Sequence, residues 1–174
     1  MKTLVIHPTD SSTDFLSEIY SDKDYTIMRD DLSHKKVIEQ IKLHDRIMMM
    51  GHGDMFGLYD IENDRFVIDN SLIYLLREKD CVCIWCNADV FVKRYNLKGF
   101  YTGMIISEYT EALYYSMYET TDQQIIESNI LFSQSIKESV EKKGREILAS
   151  MIELYKQQGN PIVEFNTDSL YYKD

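Results

Sequence analysis

A histidine and a cysteine each follow directly after a short apolar run of this sequence. His52 lies between two glycines after the run 46–50, and Cys86 follows the run 81–85. A thiol held beside an imidazole makes a cysteine nucleophile, because the imidazole lowers the thiol pKa or carries its proton. If the two runs are neighbouring parallel strands, both residues lie at the same edge of a sheet. The sequence therefore predicts a His52–Cys86 pair at that edge.

Each of these residues also has a plain structural interpretation. Taken alone, Cys86 is a core residue, since free cysteine is among the most buried residue types, and His52 is a structural hydrogen-bonding group. Cys81 and Cys83 alternate with branched apolar residues and are predicted to be small core residues. Only the joint placement of His52 and Cys86 favours chemistry.

Attack on a carbonyl group also requires N–H donors for the oxyanion that forms. The turn at Gly53 and the helix start behind Cys86 are positioned to supply such donors. His7 ends the first predicted strand and is placed at the same edge, either in the cleft or as a structural residue.

The charge balance excludes some classes of partner. The 174 residues include 19 Lys+Arg and 29 Asp+Glu, which gives a net charge of −10. We expect no nucleic-acid partner, because phosphate binding depends on Lys and Arg. No apolar run approaches the ~20 residues that span a bilayer, and the N-terminus lacks the long apolar region of a signal peptide. We therefore expect a cytoplasmic protein without a membrane partner.

The cysteines and glycines argue against a bound metal or cofactor. All three cysteines lie between positions 81 and 86, which is neither a dispersed disulfide framework nor a zinc site of two separated ligand pairs. The first predicted strand is not followed by a glycine-rich phosphate-binding motif. We expect no metal and no cofactor.

Short apolar runs alternate with amphipathic helical segments along the first two thirds of the chain. This alternation predicts an α/β fold, a mostly parallel sheet sandwiched by helices, as a single domain over residues 1–174 with its core at 2–117. The predicted strands are 3–7, 25–29, 46–50, 81–85 and 99–107, with a small hairpin at 57–60 and 65–68.

A long helical segment is predicted after this core. From Tyr109 to about Gln158 the apolar residues recur near a 3.6-residue period, with Gly144 as a break. A last short strand is predicted at Ile162–Phe165, within a C-terminal region of helices and strand at 118–170. The tyrosines of residues 109–118 are predicted to pack between helices rather than to form a binding surface.

The order of these elements resembles the caspase-like (clan CD) cysteine peptidases. That superfamily includes caspases, metacaspases, legumain, gingipains, clostripain, separase and CHAT domains, and the similarity covers roughly residues 2–117. The similarity consists of the order of the elements: a strand followed by Gly51-His52-Gly53, a hairpin, a helix, and a strand followed by Cys86. Residues 97–108 are similar to the next core strand of CHAT domains. The resemblance implies that His52 is the catalytic histidine, that Cys86 is the nucleophile, and that the N–H groups of Gly53 and Cys86 form the oxyanion hole.

The resemblance implies a hydrolase of bacterial or phage type. Such a cysteine endopeptidase cleaves a peptide or protein substrate through an acyl-enzyme, and His7, Asp10 and Asp89 are the candidates for its substrate pocket. Trp85 before the nucleophile departs from the family pattern, as does the lack of a glycine after it. The alternative is a non-catalytic caspase-like or flavodoxin-like module that binds a protein partner or a small ligand. A regulatory partner or a homo-oligomer is compatible with either function.

Overall fold

The computed structural model describes residues 1–156 and 159–174. Strands and helices alternate along most of the chain. The strands are β1 (Thr3–Ile6), β2 (Thr26–Met28), β3 (Arg46–Met50), β4 (Gly53–Asp54), β5 (Gly57–Asp60), β6 (Arg65–Ile68), β7 (Asp80–Ile84), β8 (Lys98–Thr102) and β9 (Leu170–Lys173). The helices are α1 (His34–Leu43), α2 (Ile73–Leu76), α3 (Ala88–Tyr95), α4 (Tyr109–Tyr114), α5 (Asp122–Ser139), α6 (Glu146–Tyr155) and α7 (Pro161–Thr167), with 3₁₀ helices at Asp14–Tyr20 and Asn70–Leu72.

Six of the strands form a central, mostly parallel sheet. Their order is β2-β1-β3-β7-β8-β9, and each neighbouring pair is parallel except β8 and β9, which are antiparallel. The central strands β1, β3 and β7 are buried on both faces because they are apolar at successive positions. In β1, Leu4 and Ile6 pack on one face and Val5 on the other. Burial of each such side chain stabilises the fold by about 1.5–3 kcal/mol.

Helices cover both faces of the sheet, so the predicted α/β architecture is confirmed. Helices α1, α2 and α3 cover one face, with Val37 and Phe91 among their buried residues. The 3₁₀ helix Asp14–Tyr20 lies on the opposite face with α5 and α6, whose Phe132 and Met151 are fully buried. Among the described residues, no helix is both long and apolar enough to cross a bilayer.

The strand order changes direction at β1. From β1 the chain first runs to β2 on one side, and it later returns to β3 on the other side. In open α/β sheets this reversal opens a crevice at the carboxyl ends of the two strands, and ligands bind there. The segments that leave β1 and β3, residues 7–13 and 51–54, therefore flank the preferred place for a site.

A small antiparallel sheet, β4-β5-β6, follows β3. The hairpin predicted at 57–60 and 65–68 has the bounds of β5 and β6. The two-residue strand β4 was not predicted, because it is too short to show a period. Its turn is held by the Asp54 carboxylate, which accepts a hydrogen bond from the Phe56 N–H at 2.7 Å.

The predicted boundaries of the strand at 99–107 were wrong at both ends. The strand β8 ends at Thr102, and beyond it the Ile106 N–H is donated to the Asn166 side-chain oxygen at 2.7 Å and not to a neighbouring strand. It begins at Lys98, so Gly99 lies within it. A Cβ at Gly99 would lie 1.9 Å from the Cys81 carbonyl oxygen, so this close approach requires glycine.

The last strand was predicted in the wrong place. Residues 162–165 belong to helix α7, which Asn160 caps by accepting the Ile162 N–H at 2.9 Å, with Pro161 at the first helical position. The true last strand is β9, which pairs with β8.

The predicted helical segment consists of three helices, α4, α5 and α6. Gly144 lies between α5 and α6, as predicted, with a φ of +57°. The predicted helix end at about Gln158 lies outside the described residues. The prediction that the tyrosines of 109–118 pack inside was wrong for Tyr114 and Tyr118, which are 82% and 70% exposed.

Candidate functional site

The ends of β3 and β7 bring His52 and Cys86 to one cavity. The two strands are parallel neighbours, with Met50 opposite Ile84, so the residues that follow them leave the same edge side by side. The cavity has a volume of about 30 Å³, close to the space that one water molecule occupies in the liquid. Its lining residues are Thr13, Phe15, Leu16, Gly51, His52, Ile84, Trp85, Cys86, Ile105, Ser107, Glu111 and Phe132.

The His52 side chain is held from the segment that leaves β1. Its Nε2 lies 2.7 Å from the Ser12 hydroxyl oxygen and 3.4 Å from Oδ1 of Asp10. Asp10 also accepts hydrogen bonds from the backbone N–H and the hydroxyl of Ser12. These hydrogen bonds, and then the charge of His52, lower the pKa of Asp10, so this carboxyl is ionised at neutral pH. The imidazole is 34% exposed and accessible from the solvent.

Cys86 is half-buried on the turn between β7 and α3. The next residue, Asn87, has a left-handed backbone with a φ of +63°, a conformation that asparagine tolerates where glycine is absent. The Cys86 thiol points to the Ile105 carbonyl oxygen at 3.6 Å and to Oε1 of Glu111 at 4.0 Å. Burial, with smaller contributions from the charges of Glu111 and Glu108, raises the pKa of this thiol to about 11.

In the part of the chain that the structure describes, no hydrogen bond joins the Cys86 thiol to the His52 ring. The sulfur is directed to Ile105 and Glu111, and Nε2 of the imidazole to Ser12. The cavity brings the two side chains together without pairing them. In the absence of substrate such a pair is commonly long or poorly aligned, and it tightens when substrate binds.

Trp85 and Gly53 fix the position of the His52 turn. The buried Trp85 ring donates its Nε1–H to the Asp54 carbonyl at 3.0 Å. A Cβ at Gly53 would lie 2.3 Å from the same ring and 2.5 Å from the Gly57 carbonyl oxygen, so only glycine fits there. The bulky residue before Cys86 thus clamps β4 to the turn that carries the cysteine.

Within the described residues, the N–H groups of Gly53 and Cys86 are not used in hydrogen bonds. Tyr59 donates its N–H to the His52 carbonyl at 2.8 Å, and hydrogen-bonded pairs alternate along an antiparallel ladder. The next pair, Gly53 with Leu58, is therefore a non-hydrogen-bonded one, which leaves the Gly53 N–H outside the ladder. Within residues 1–156 and 159–174, no oxygen accepts a hydrogen bond from the Cys86 N–H.

Of the three residues predicted to form the substrate pocket, none lines this cavity. His7 is fully buried, and its ring nitrogens lie 2.8 Å from the Tyr20 hydroxyl and 3.3 Å from that of Thr13. Burial lowers the pKa of His7 to about 4, with a further contribution from the Arg29 charge. Asp89 lies in the first turn of α3 and pairs with Lys93 at 2.8 Å. Asp10 reaches the site through His52.

Sequence reasoning missed two side chains that contact the predicted pair, Ser12 and Glu111. Ser12 lies in a polar segment, residues 9–14, in which no motif marks it for the site. Glu111 lies in α4, where Oε2 of its carboxylate accepts the N–H groups of Ser107 and Glu108 at 2.7 and 3.1 Å. The capping pattern of Glu108 and Glu111 was readable in the sequence, but its position beside Cys86 was not, because it depends on the path of the loop after β8.

The fold and this site define a class: α/β proteins with a mostly parallel sheet and a histidine and a cysteine at its carboxyl edge. Among the described residues, no group of three or more His, Cys, Asp or Glu side chains is arranged to hold a metal ion. In comparisons with known proteins, no family model, no curated protein and no solved structure matches the chain.

Proposed function

We propose that the protein is a cysteine endopeptidase of the caspase-like type, with Cys86 as nucleophile and His52 as general base and acid. The observation that carries this proposal is the shared cavity: both side chains line it, at the carboxyl ends of adjacent parallel strands. It also borders the crevice where the strand order reverses, the place that ligands prefer in such sheets.

The arrangement accounts for each transfer in peptide cleavage. His52 accepts the thiol proton, and the Cys86 sulfur forms a bond to the substrate carbonyl carbon. The N–H groups of Gly53 and Cys86 are the donors for the oxyanion. When the carbon–nitrogen bond breaks, the amine leaves with the proton from His52. Water then attacks the thioester, gives a proton to His52 and releases the acid, and the proton returns to the sulfur.

The order of elements on which the resemblance rests supports the proposal. In the structure, β3 is followed by the Gly51-His52-Gly53 turn, the small sheet and α2, and β7 is followed by Cys86. The departure at Trp85 has a structural role here, because this ring clamps the His52 turn.

The free protein is in a resting state in this proposal. With a pKa of about 11, the thiol of Cys86 is protonated at neutral pH. The cavity, of about 30 Å³, is small, so we propose that a substrate widens it as it binds. We propose that this widening turns the sulfur from Glu111 to His52.

A second candidate function is a non-catalytic module that binds a partner. The favouring observation is the surface of residues 109–120, where Tyr114 and Tyr118 are largely exposed beside a groove of about 490 Å³. In that case, the Cys86 thiol stays in contact with Glu111 and never turns to His52.

Two alkylating reagents distinguish the two candidate functions, and intact-mass measurement detects the adducts that they form. A small haloacetamide reports on the resting thiol, which we expect to react much more slowly than a free cysteine at about pH 7.5, given its small thiolate fraction. A peptidyl library that carries a related halomethyl ketone reports on the assembled pair. We expect one adduct from the peptidyl probes, formed much faster than with haloacetamide, absent in Cys86→Ala and slowed at least 100-fold in His52→Ala.

The chain offers matched controls for both variants. Cys83→Ala removes a buried thiol, and His34→Ala removes an exposed histidine at the start of α1; neither change should affect labelling. If the peptidyl probes react no faster than haloacetamide and His52→Ala changes nothing, the peptidase proposal is wrong and the partner-binding function stands.

A further inference from the structure

The ring of His52 lies at the end of a short chain of polar groups. Its Nε2 is 2.7 Å from the Ser12 hydroxyl oxygen, and that hydroxyl in turn contacts Oδ1 of Asp10. Asp10 also accepts the Ser12 backbone N–H at 2.8 Å, so the carboxylate and the hydroxyl are held in one geometry.

The protons in this chain have one consistent arrangement. An ionised carboxylate only accepts hydrogen bonds, so the single hydroxyl proton of Ser12 is donated to Asp10. The Ser12 oxygen is then the acceptor in its contact with His52. The donor in that contact is therefore Nε2–H, and the neutral ring has its unprotonated nitrogen at Nδ1.

We propose that Ser12, oriented by Asp10, is a positioning residue that holds His52 in the Nε2–H tautomer and leaves Nδ1 as the basic nitrogen. Its role in catalysis depends on the proposed peptidase function, in which Nδ1 is the atom that receives the Cys86 proton. The tautomer itself depends only on the contacts among these three residues.

This tautomer is measurable without any substrate. In protein labelled with ¹⁵N-histidine, long-range proton–nitrogen NMR spectra distinguish protonated from unprotonated ring nitrogens, at about pH 8, where an ordinary imidazole is neutral. We expect the wild-type His52 signal to show Nε2 protonated and Nδ1 unprotonated. Ser12→Ala should give a mixture of tautomers and faster exchange of the Nε2 proton, and Ser12→Thr should restore the wild-type pattern.

Asp10→Asn is the sharpest variant. Its amide group can donate to the Ser12 oxygen, so the Ser12 proton is free to point to His52, and the Nδ1–H population should rise. Ser11→Ala, which removes an exposed neighbouring hydroxyl, should leave the spectrum unchanged. The signals of the buried His7 and His44, each bonded through both ring nitrogens, report in the same spectrum whether a variant is folded.

The labelling rate with the peptidyl probe tests the catalytic part. We expect Ser12→Ala to reduce it roughly 10-fold or more, with recovery in Ser12→Thr. A wild-type His52 protonated at Nδ1, or a tautomer that does not change in folded Ser12→Ala, overturns the inference. If the tautomer is as expected but the wild type does not react with the probe, the peptidase proposal fails and the assignment of the tautomer stands.

Discussion

The residue with the most unusual environment in the candidate site is Cys86. Cysteine nucleophiles are normally placed among positive groups, which lower the thiol pKa. Here the Cys86 sulfur lies 4.0 Å from the Glu111 carboxylate, and the thiol pKa is raised to about 11. Burial is the main cause of this rise and the charge of Glu111 adds to it, so a substitution of Glu111 should remove part of the rise.

Replacing Glu111 by glutamine should lower the Cys86 pKa, because it removes a negative charge near the thiolate. Glutamine keeps an oxygen that can accept the Ser107 and Glu108 N–H groups. Haloacetamide labelling of the wild type should accelerate with pH up to about 11. In Glu111→Gln the same profile should lie at lower pH, and labelling at about pH 8 should be roughly 3- to 10-fold faster.

Glu119→Gln is the matched control, since this glutamate is exposed on the loop after α4. It should leave the pH profile where it is. A profile that does not move in Glu111→Gln would show that this carboxylate does not face the sulfur in solution.

At the scale of elements, the sequence predicted which residues lie at the ends of neighbouring strands. It did not predict the contacts that the loops make. The apolar runs 46–50 and 81–85 were sufficient to place His52 beside Cys86, because parallel neighbours end at the same edge. The contacts of Ser12 and Glu111 depend on how two irregular loops return to that edge, and no periodicity encodes such a path.

The β8–β9 end of the sheet also shows that loop and cap contacts override local strand patterns. Strand β9 is a short edge strand that is partly buried after Leu170, and β-forming residues at 162–165 were a competing candidate. The Asn160-Pro161 pair decided the outcome, because an asparagine cap and a proline at the first helical position favour a helix. The β-forming residues after Thr102 likewise lie outside the sheet, where the backbone of Ile106 is hydrogen-bonded to the Asn166 side chain of α7.

The clamp between Trp85 and β4 predicts a strong effect of Gly53→Ala. The added methyl group would overlap the Trp85 ring and the Gly57 carbonyl, so the His52 turn must move. We expect a loss of about 1–3 kcal/mol in the free energy of unfolding, measured with urea, and loss of His52-dependent labelling by the peptidyl probe.

Gly144→Ala provides the comparison. Its φ of +57° makes alanine cost about 1–2 kcal/mol, but its nearest contact is the Tyr172 hydroxyl at 3.9 Å, and it lies between α5 and α6. This variant should lose similar stability and keep full labelling. Full labelling in Gly53→Ala would mean that the clamp does not position His52.

At the scale of the whole molecule, the buried His7 should make the free energy of unfolding depend on pH. Its pKa is about 4 in the folded protein and about 6.5 when unfolded, so the unfolded state binds more protons in between. As far as it depends on His7, the free energy of unfolding is highest above about pH 6.5 and decreases as the pH falls to about 4. The difference between the two pKa values corresponds to about 3 kcal/mol.

Urea denaturation at a series of pH values tests this dependence. His7→Gln, which keeps a polar side chain but does not titrate, should flatten the loss of stability between about pH 6.5 and 4. His34→Gln, at an exposed position, should keep the wild-type slope. Equal slopes in wild type and His7→Gln would assign the acid sensitivity to other groups.

The antiparallel edge strand has a consequence for how the molecule assembles. Tyr171 of β9 pairs with Tyr101 of β8, about 70 residues away in the chain, whereas β3 and β7 are joined by a much shorter connection. Closing the longer loop costs more entropy, so we expect β9 to join a sheet that is already formed. Weakening this pairing should hasten unfolding while leaving the refolding rate nearly unchanged.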